Sequence, residues 1–166
     1  MLALPVFRYH PDPLATGSVV PSEARCDCCG QHRGFAYDGP VYAVADPSGV
    51  LCPWCLADGS ASERYEAQFT ETEGRVPMEV RLEVDRRTPG FRGWQQERWL
   101  THCGDAAAFL GRAGAADVRR HPDALADLAA EFGQEFCAAL DAGGQPTAYL
   151  FACLHCDRHL AYADFT

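Results

Sequence analysis

The stretch that decides the fold is "ARCDCCGQHRG" (residues 24–34), which places three cysteines within four consecutive positions. A second pair follows in "CPWC" (residues 52–55), and 22 residues separate Cys29 from Cys52. A Cys-x-x-Cys turn, or knuckle, brings both thiolates to within about 2.3 Å of a single Zn²⁺ ion, and two knuckles complete a tetrahedron. The spacing therefore predicts one zinc site with four cysteine ligands: Cys26, Cys29, Cys52 and Cys55.

The third cysteine of the stretch, Cys28, is predicted to point away from the metal. If Cys26 and Cys29 are the ligands, Gly30 follows the second ligand directly, where a knuckle favours a residue free to adopt positive φ. Pairing Cys26 with Cys28 would leave a single residue between ligands, which is too tight for a knuckle. A bond between Cys28 and Cys29 would be a strained vicinal disulfide.

The segment between the two knuckles predicts a zinc ribbon over residues 22–60. Asp38-Gly39 is a turn signal, and the apolar residues on either side of it predict a β-hairpin. "CPWC" also resembles a thioredoxin-type redox pair at a helix start. That alternative needs a βαβ setting, whereas the preceding segment is short and turn-rich, so zinc is favoured.

A third knuckle, "CLHC", supplies Cys153 and Cys156, and it needs two further ligands. The motif "HCGD" is its natural partner, with Cys103 as one ligand and His102 as the fourth by adjacency. The sequence thus predicts a second zinc ion.

Two alternatives for the fourth ligand stay open, namely Asp105 and His159. Four protein ligands would make a closed, structural site. Three would leave an open position for a water molecule and hydrolytic chemistry.

Composition limits the classes of function. The 166 residues carry a net charge of −9 and contain no lysine, so no broad basic surface exists for nucleic acid or anionic membrane. The N-terminus lacks the features of a secretory signal, and no apolar run approaches the roughly 18 residues of a membrane span. We therefore expect a cytoplasmic protein, in which nine cysteines indicate metal or redox chemistry rather than disulfides.

The remaining pattern predicts an α+β protein forming one domain, residues 1–166, with the ribbon at 22–60 and a helical part plus C-terminal hairpin at 61–166. Residues 1–22 read as an extended surface arm, with His10 exposed. Helices are predicted in 56–70, 91–100, 106–114 and 121–144, a strand over 76–84, and a strand–knuckle–strand unit at the C-terminus. Cys137 lies beside the apolar face of the longest helix, so we expect it to be buried.

Several motifs in order, "LPVFRYHPDPLATGS", "CDCCGQHRGFAYDGPVYAV", "LCPWCLADGSA", "RTPGFRGWQQERWLTHCGD" and "AYLFACLHC", resemble the CbrC family of small bacterial proteins. The resemblance implies a role in colicin tolerance or envelope stress without an established enzymatic activity. It marks seven cysteines as functional: Cys26, Cys29, Cys52, Cys55, Cys103, Cys153 and Cys156. Alanines 106–108 stand where the family often has a further cysteine.

The expected function is therefore that of a non-catalytic, zinc-binding interaction module. Its protein partner would dock on a surface around "LPVFRYHPDP" and "RTPGFRGW". The alternative is a zinc-dependent or thiol-redox enzyme that uses Cys103, Cys153 and Cys156.

Overall fold

A computed structural model describes residues 3–166 as an α+β protein, which confirms the predicted fold class. Met1 and Leu2, the start of the predicted arm, lie outside the described residues. The strands are β1 (Val19–Pro21), β2 (Phe35–Tyr37), β3 (Thr101–His102), β4 (Asp105–Ala106), β5 (Ala108–Ala113), β6 (Thr147–Ala152) and β7 (His159–Asp164). The helices are α1 (Pro53–Ala57), α2 (Ser60–Tyr65), α3 (Met78–Arg87), α4 (Ala115–Val118), α5 (Pro122–Phe132) and α6 (Gln134–Ala139).

The largest sheet is antiparallel with the order β5-β6-β7. β6 and β7 pair from Thr147 opposite Asp164 to Ala152 opposite His159, and the third knuckle is the turn that joins them. The predicted strand–knuckle–strand unit is therefore present. β3 and β4 form a separate two-residue ladder that places the "HCGD" turn.

The N-terminal arm packs into the main aromatic core. Tyr9 and His10 are fully buried, and the Phe91 ring stacks on Phe109 with 3.9 Å between ring centroids. The prediction that His10 is exposed is wrong, because its ring fills a gap beside Trp99 and Phe109 and has polar partners for both nitrogens. Three aromatic side chains of the predicted docking surface, those of Phe7, Tyr9 and Phe91, thus lie inside the protein, whereas Trp94 is exposed.

The predicted strand at 76–84 is helix α3. Its alternating apolar residues also place Val80 and Val84 one helical turn apart, and both pack against the aromatic core. The side chain of Arg81 donates hydrogen bonds to the backbone oxygens of Thr72 and Gly74, at 2.8 and 2.6 Å, which fixes the helix against the preceding loop.

Two of the predicted helices, over residues 91–100 and 106–114, do not form. Residues 106–114 contain strand β5 because pairing with β6 outweighs the helix propensity of alanine, and its residues alternate between buried and exposed from Phe109 onward. Residues 91–100 form an irregular loop. The backbone amides of Trp94 and Gln95 both donate to one carboxylate oxygen of Asp164, which holds this loop across the sheet.

The predicted helix at 121–144 is divided into α5 and α6. Gly133 separates them with a φ of 87°, a left-handed conformation that interrupts the helical hydrogen bonds. Both helices still bury one apolar face, which includes Leu128 and Cys137. Cys137 is therefore buried as expected.

The hairpin predicted at Asp38-Gly39 does not form. β2 pairs with β1 instead, and the backbone of Tyr42 pairs with Gln68. The hydroxyl of Tyr37 occupies the space beside Gly39 and donates to the oxygen of Pro40, so the chain turns away from β2. The first two knuckles are consequently linked by β2 and the irregular segment that follows it, not by a hairpin.

Candidate metal centres

The first cluster consists of Cys26, Cys29, Cys52 and Cys55, whose sulfurs lie within 4.8 Å of one another. The Cys26–Cys55 and Cys29–Cys52 sulfur distances are both 3.9 Å, and the Cys52–Cys55 distance is 3.6 Å. Four sulfurs at about 2.3 Å from one ion would stand about 3.8 Å apart at the corners of a tetrahedron. The arrangement therefore fits a tetrahedral metal ion, and each sulfur is a free thiol.

Backbone geometry brings the two knuckles together. The amide of Gly30 donates to the oxygen of Cys26 at 2.8 Å, and Gly30 takes the positive φ, 70°, that the sequence predicted. Cys52 caps helix α1, with Pro53 in its first turn, and the amide of Cys52 donates to the Cys26 sulfur at 3.2 Å. Amide donors of this kind temper the charge of metal-bound thiolates.

Burial opposes ionisation of two thiols of the first cluster, those of Cys52 and Cys55. Desolvation raises the pKa of Cys52 to about 11, and burial raises that of Cys55 further. Burial also opposes ionisation of Cys29, but hydrogen bonds from the Gln31 amide and neighbouring thiols lower its pKa to about 7. The thiolate of Cys29 therefore forms readily, and a bound cation would be needed to stabilise those of Cys52 and Cys55.

Arg33 adds a positive charge that sequence reasoning did not identify. Its guanidinium lies over the ring of Trp54, 5.3 Å from the centroid. Although desolvation opposes its charge, hydrogen bonding to the Cys29 sulfur raises the pKa of Arg33. The arginine thus partly balances the negative charge of the cluster.

The structure places Cys28 outside the first cluster. Its thiol donates to the hydroxyl of Ser60 at 3.7 Å, and its backbone oxygen accepts a hydrogen bond from Arg64. The middle position of the knuckle therefore faces helix α2 rather than the four sulfurs.

The second cluster consists of His102, Cys103, Cys153 and Cys156, again with the ligand atoms within 4.8 Å of one another. Nδ1 of His102 lies 3.2 Å from the Cys103 sulfur and 3.6 Å from the Cys156 sulfur, and the two sulfurs are 3.9 Å apart. A tetrahedron with one nitrogen and three sulfur ligands has nitrogen–sulfur edges of about 3.6 Å. The predicted residues are thus brought together in a metal-compatible set.

Two turns supply this second cluster. The β3–β4 turn presents Cys103 and Gly104 with positive φ values of 51° and 72°. In the third knuckle, the amide of His155 donates to the Cys153 sulfur at 3.4 Å. Burial opposes ionisation of Cys153, but this amide and His102 lower its pKa to about 6, whereas desolvation and the neighbouring sulfurs raise the pKa of Cys103 to about 11.

Asp105, one alternative for the fourth ligand, is engaged elsewhere. Its carboxylate accepts hydrogen bonds from Arg8 at 2.7 Å and from the hydroxyl of Tyr9 at 2.8 Å, and it lies 2.7 Å from Nε2 of His155. Although burial opposes its charge, the bonds from His155 and Tyr9 lower the pKa of Asp105. Asp105 therefore ties the third knuckle to the N-terminal arm.

His159, the other alternative, lies outside the second cluster. Its ring packs against His121, with 4.0 Å between centroids, and its amide donates to Asp123. Sequence reasoning missed the network of Arg8, Tyr9 and His155 around Asp105, because these residues are 50 to 97 positions away from Asp105 in the chain. Only the "HCGD" motif pointed to one of them.

Comparison with known proteins identifies the relatives of this chain. The model of "Uncharacterised protein family (UPF0167)" matches residues 4–165. UPF0167 protein Mb2317 of Mycobacterium bovis and UPF0167 protein MT2352 of Mycobacterium tuberculosis are each 52% identical over 98% of this chain and 94% of their own length. UPF0167 protein PA1536 of Pseudomonas aeruginosa is 45% identical over 98% of both chains. No solved structure matches.

These relatives overturn the assignment to the CbrC family. The matching family model and the curated relatives carry the name UPF0167. The role in colicin tolerance or envelope stress rested on that resemblance alone and is withdrawn with it. Among residues 3–166, no helix has both the length and the hydropathy that a bilayer crossing requires.

Proposed function

Since the chain belongs to UPF0167, an uncharacterised protein family, we propose its function from its own residues: it is a non-catalytic protein that folds around two zinc ions and acts by binding another protein. The observation that carries the proposal is that each cluster gathers four ligand atoms within 4.8 Å. The ligands in this proposal are the eight residues of the two clusters.

The chemistry of the ligands supports zinc. Thiolate and imidazole are soft or borderline donors, which suit zinc and disfavour magnesium and calcium. Four sulfurs also fit iron, but three sulfurs with one histidine nitrogen are typical of structural zinc sites. The amide donors at Cys26 and Cys153 support thiolate ligands in both clusters.

A structural role is supported by the number of ligands. Catalytic zinc sites commonly have three protein ligands and a fourth position for water. Here each cluster offers four, and Asp105, which could have competed with His102, is held by Arg8 and Tyr9. Each zinc ion would therefore cross-link distant segments, and its binding free energy would contribute to folding.

We further propose that residues 22–60 and 61–166 act as one domain. In support, the ring of Tyr37 packs edge-on against Phe69 at 5.4 Å, and its hydroxyl accepts a hydrogen bond from the amide of Gly90. With closed metal sites and a net charge of −9, a protein partner is favoured over nucleic acid.

Metal analysis tests this proposal. Protein purified under reducing conditions should contain two zinc ions per chain, and a strong chelator should unfold it with loss of near-ultraviolet circular dichroism. Substitution of Co²⁺ should give the absorption of tetrahedral thiolate sites at both clusters. Iron in place of zinc, full stability after chelation, or a Co²⁺ spectrum showing a bound exchangeable water would contradict the proposal. The last result would favour the enzymatic alternative.

A further inference from the structure

We propose that the second cluster is a site of reversible oxidative modification, in which a hydroperoxide converts Cys103 and Cys156 to a disulfide and releases the zinc ion. The first cluster keeps its zinc ion under the same conditions. This inference rests on the proposed function, because it requires that both clusters bind zinc.

The two clusters differ most in exposure. Cys26, Cys52 and Cys55 of the first cluster are each 2% exposed, and a hydroperoxide can reach only the edge at Cys29. In the second cluster, both Cys103 and Cys156 are exposed to solvent. Because a hydroperoxide must reach the sulfur that it oxidises, the cluster with two exposed ligands, the second one, is the reactive one.

The second step of the reaction also differs between the clusters. A sulfenic acid becomes a disulfide only if another thiolate can reach its sulfur. The Cys29–Cys52 and Cys103–Cys156 sulfur pairs are both 3.9 Å apart, but Cys52 is buried and fixed at the start of helix α1, whereas Cys103 and Cys156 both lie in exposed turns. The second cluster therefore holds the pair whose sulfurs can approach each other.

The backbone around Cys103 allows the sulfurs to close from 3.9 Å to the roughly 2.0 Å of a disulfide. Cys103 and Gly104 form the exposed turn between β3 and β4, and the strand pairing begins only on either side of them, at His102 and Asp105. Exposed turns with few backbone hydrogen bonds open at low cost in free energy. A small shift of this turn brings the two sulfurs together.

Cys153 is the less favourable partner. It is only 9% exposed, and its sulfur accepts the amide hydrogen bond of His155. The structure therefore favours the Cys103–Cys156 disulfide over one within the knuckle.

The reaction balances as follows. One thiolate attacks the peroxide, takes one oxygen atom to become a sulfenic acid, and releases an alcohol, or water from hydrogen peroxide, after protonation. The second thiolate attacks the sulfenic sulfur, forming the S–S bond and releasing hydroxide. Two electrons pass from the two sulfurs to the peroxide, and the zinc ion leaves because two of its four ligands are lost. A dithiol reductant reverses the change.

The test begins with the two-zinc protein. Hydrogen peroxide is added, released zinc is followed with a chromophoric chelator, and disulfides are located by mass spectrometry of peptides. The expected result is the loss of one zinc ion per chain, with Cys103 joined to Cys156 and the four cysteines of the first cluster still reduced. Dithiothreitol with added Zn²⁺ should restore two zinc ions.

Variants separate the possible outcomes. Cys28→Ser should behave like the unmodified protein, while Cys103→Ser should hold one zinc ion that peroxide does not release. Release from the first cluster at an equal rate, zinc loss without a disulfide, or retention of both zinc ions would overturn the inference. A protein that contains no zinc before peroxide is added would instead overturn the proposed function.

Discussion

Two neighbouring serine substitutions, Cys28→Ser and Cys29→Ser, test directly whether Cys29 is a metal ligand and Cys28 is not. A structural zinc site binds with an apparent free energy of about 10–16 kcal/mol, so each of four ligands accounts for about 3 kcal/mol on average. Loss of the Cys29 sulfur should therefore lower zinc affinity at the first cluster by more than about 100-fold. Cys28 contacts Ser60 and no cluster sulfur, so its replacement should cost less than about 1 kcal/mol.

The assay is competition with a chromophoric chelator of known affinity, read as the number of zinc ions retained per chain. Cys28→Ser should retain two and Cys29→Ser one, at chelator concentrations that leave the unmodified protein saturated. Each variant is the control for the other, because both make the same chemical change in the same turn. Equal zinc loss in the two variants would refute the assignment of Cys28 as a non-ligand, and full retention in both would refute the first site.

Three further predictions concern a buried histidine, the carboxylate beside the second cluster and the core under helix α5. Burial lowers the pKa of His10 from 6.5 to about 4, so its neutral ring stabilises the fold fully above pH 6.5, and about 3 kcal/mol is lost as the pH falls towards 4. Urea unfolding of His10→Gln should show a correspondingly weaker pH dependence than the unmodified protein; identical profiles would exclude His10 as the cause. Asp105→Asn should lower zinc affinity at the second cluster about 10- to 100-fold, measured by chelator competition, because an amide cannot accept all the hydrogen bonds of the carboxylate. A loss from the first cluster instead would contradict this. Leu128→Ala should lower the free energy of unfolding by about 2–5 kcal/mol in urea titrations, with both zinc ions retained, since Leu128 is 1% exposed. A cost below about 0.5 kcal/mol would show that the helix does not pack as described.

The spacing of the cysteines predicted which residues form the two clusters, whereas the periodicity of apolar residues predicted several helices and strands wrongly. A Cys-x-x-Cys turn is specified by a few residues with fixed geometry, and Gly30 supplies the required positive φ. The pairing of "HCGD" with "CLHC" could also be predicted, since one knuckle cannot complete a tetrahedron. The pattern alone could not decide whether His102, Asp105 or His159 is the fourth ligand of the second cluster. That choice depends on contacts between segments that are distant in the chain.

Periodicity failed where tertiary contacts decide the conformation. The alanines of β5 favour a helix in isolation, but the strand is fixed by pairing with β6. The apolar residues of α3 fit the two-residue period of a strand as well as the 3.6-residue period of a helix. Only the packing of Val84 in the core selects the helix. The predicted hairpin failed because β1, in the proline-rich arm, takes the position beside β2 that the returning chain was expected to fill.

The order of the ligands along the chain also bears on how the protein is made. All four ligands of the first cluster lie between residues 26 and 55, whereas the second cluster is complete only with Cys156. Since synthesis proceeds from the N-terminus, a nascent chain that binds zinc as proposed could hold the first ion before the residues of the second site have been made.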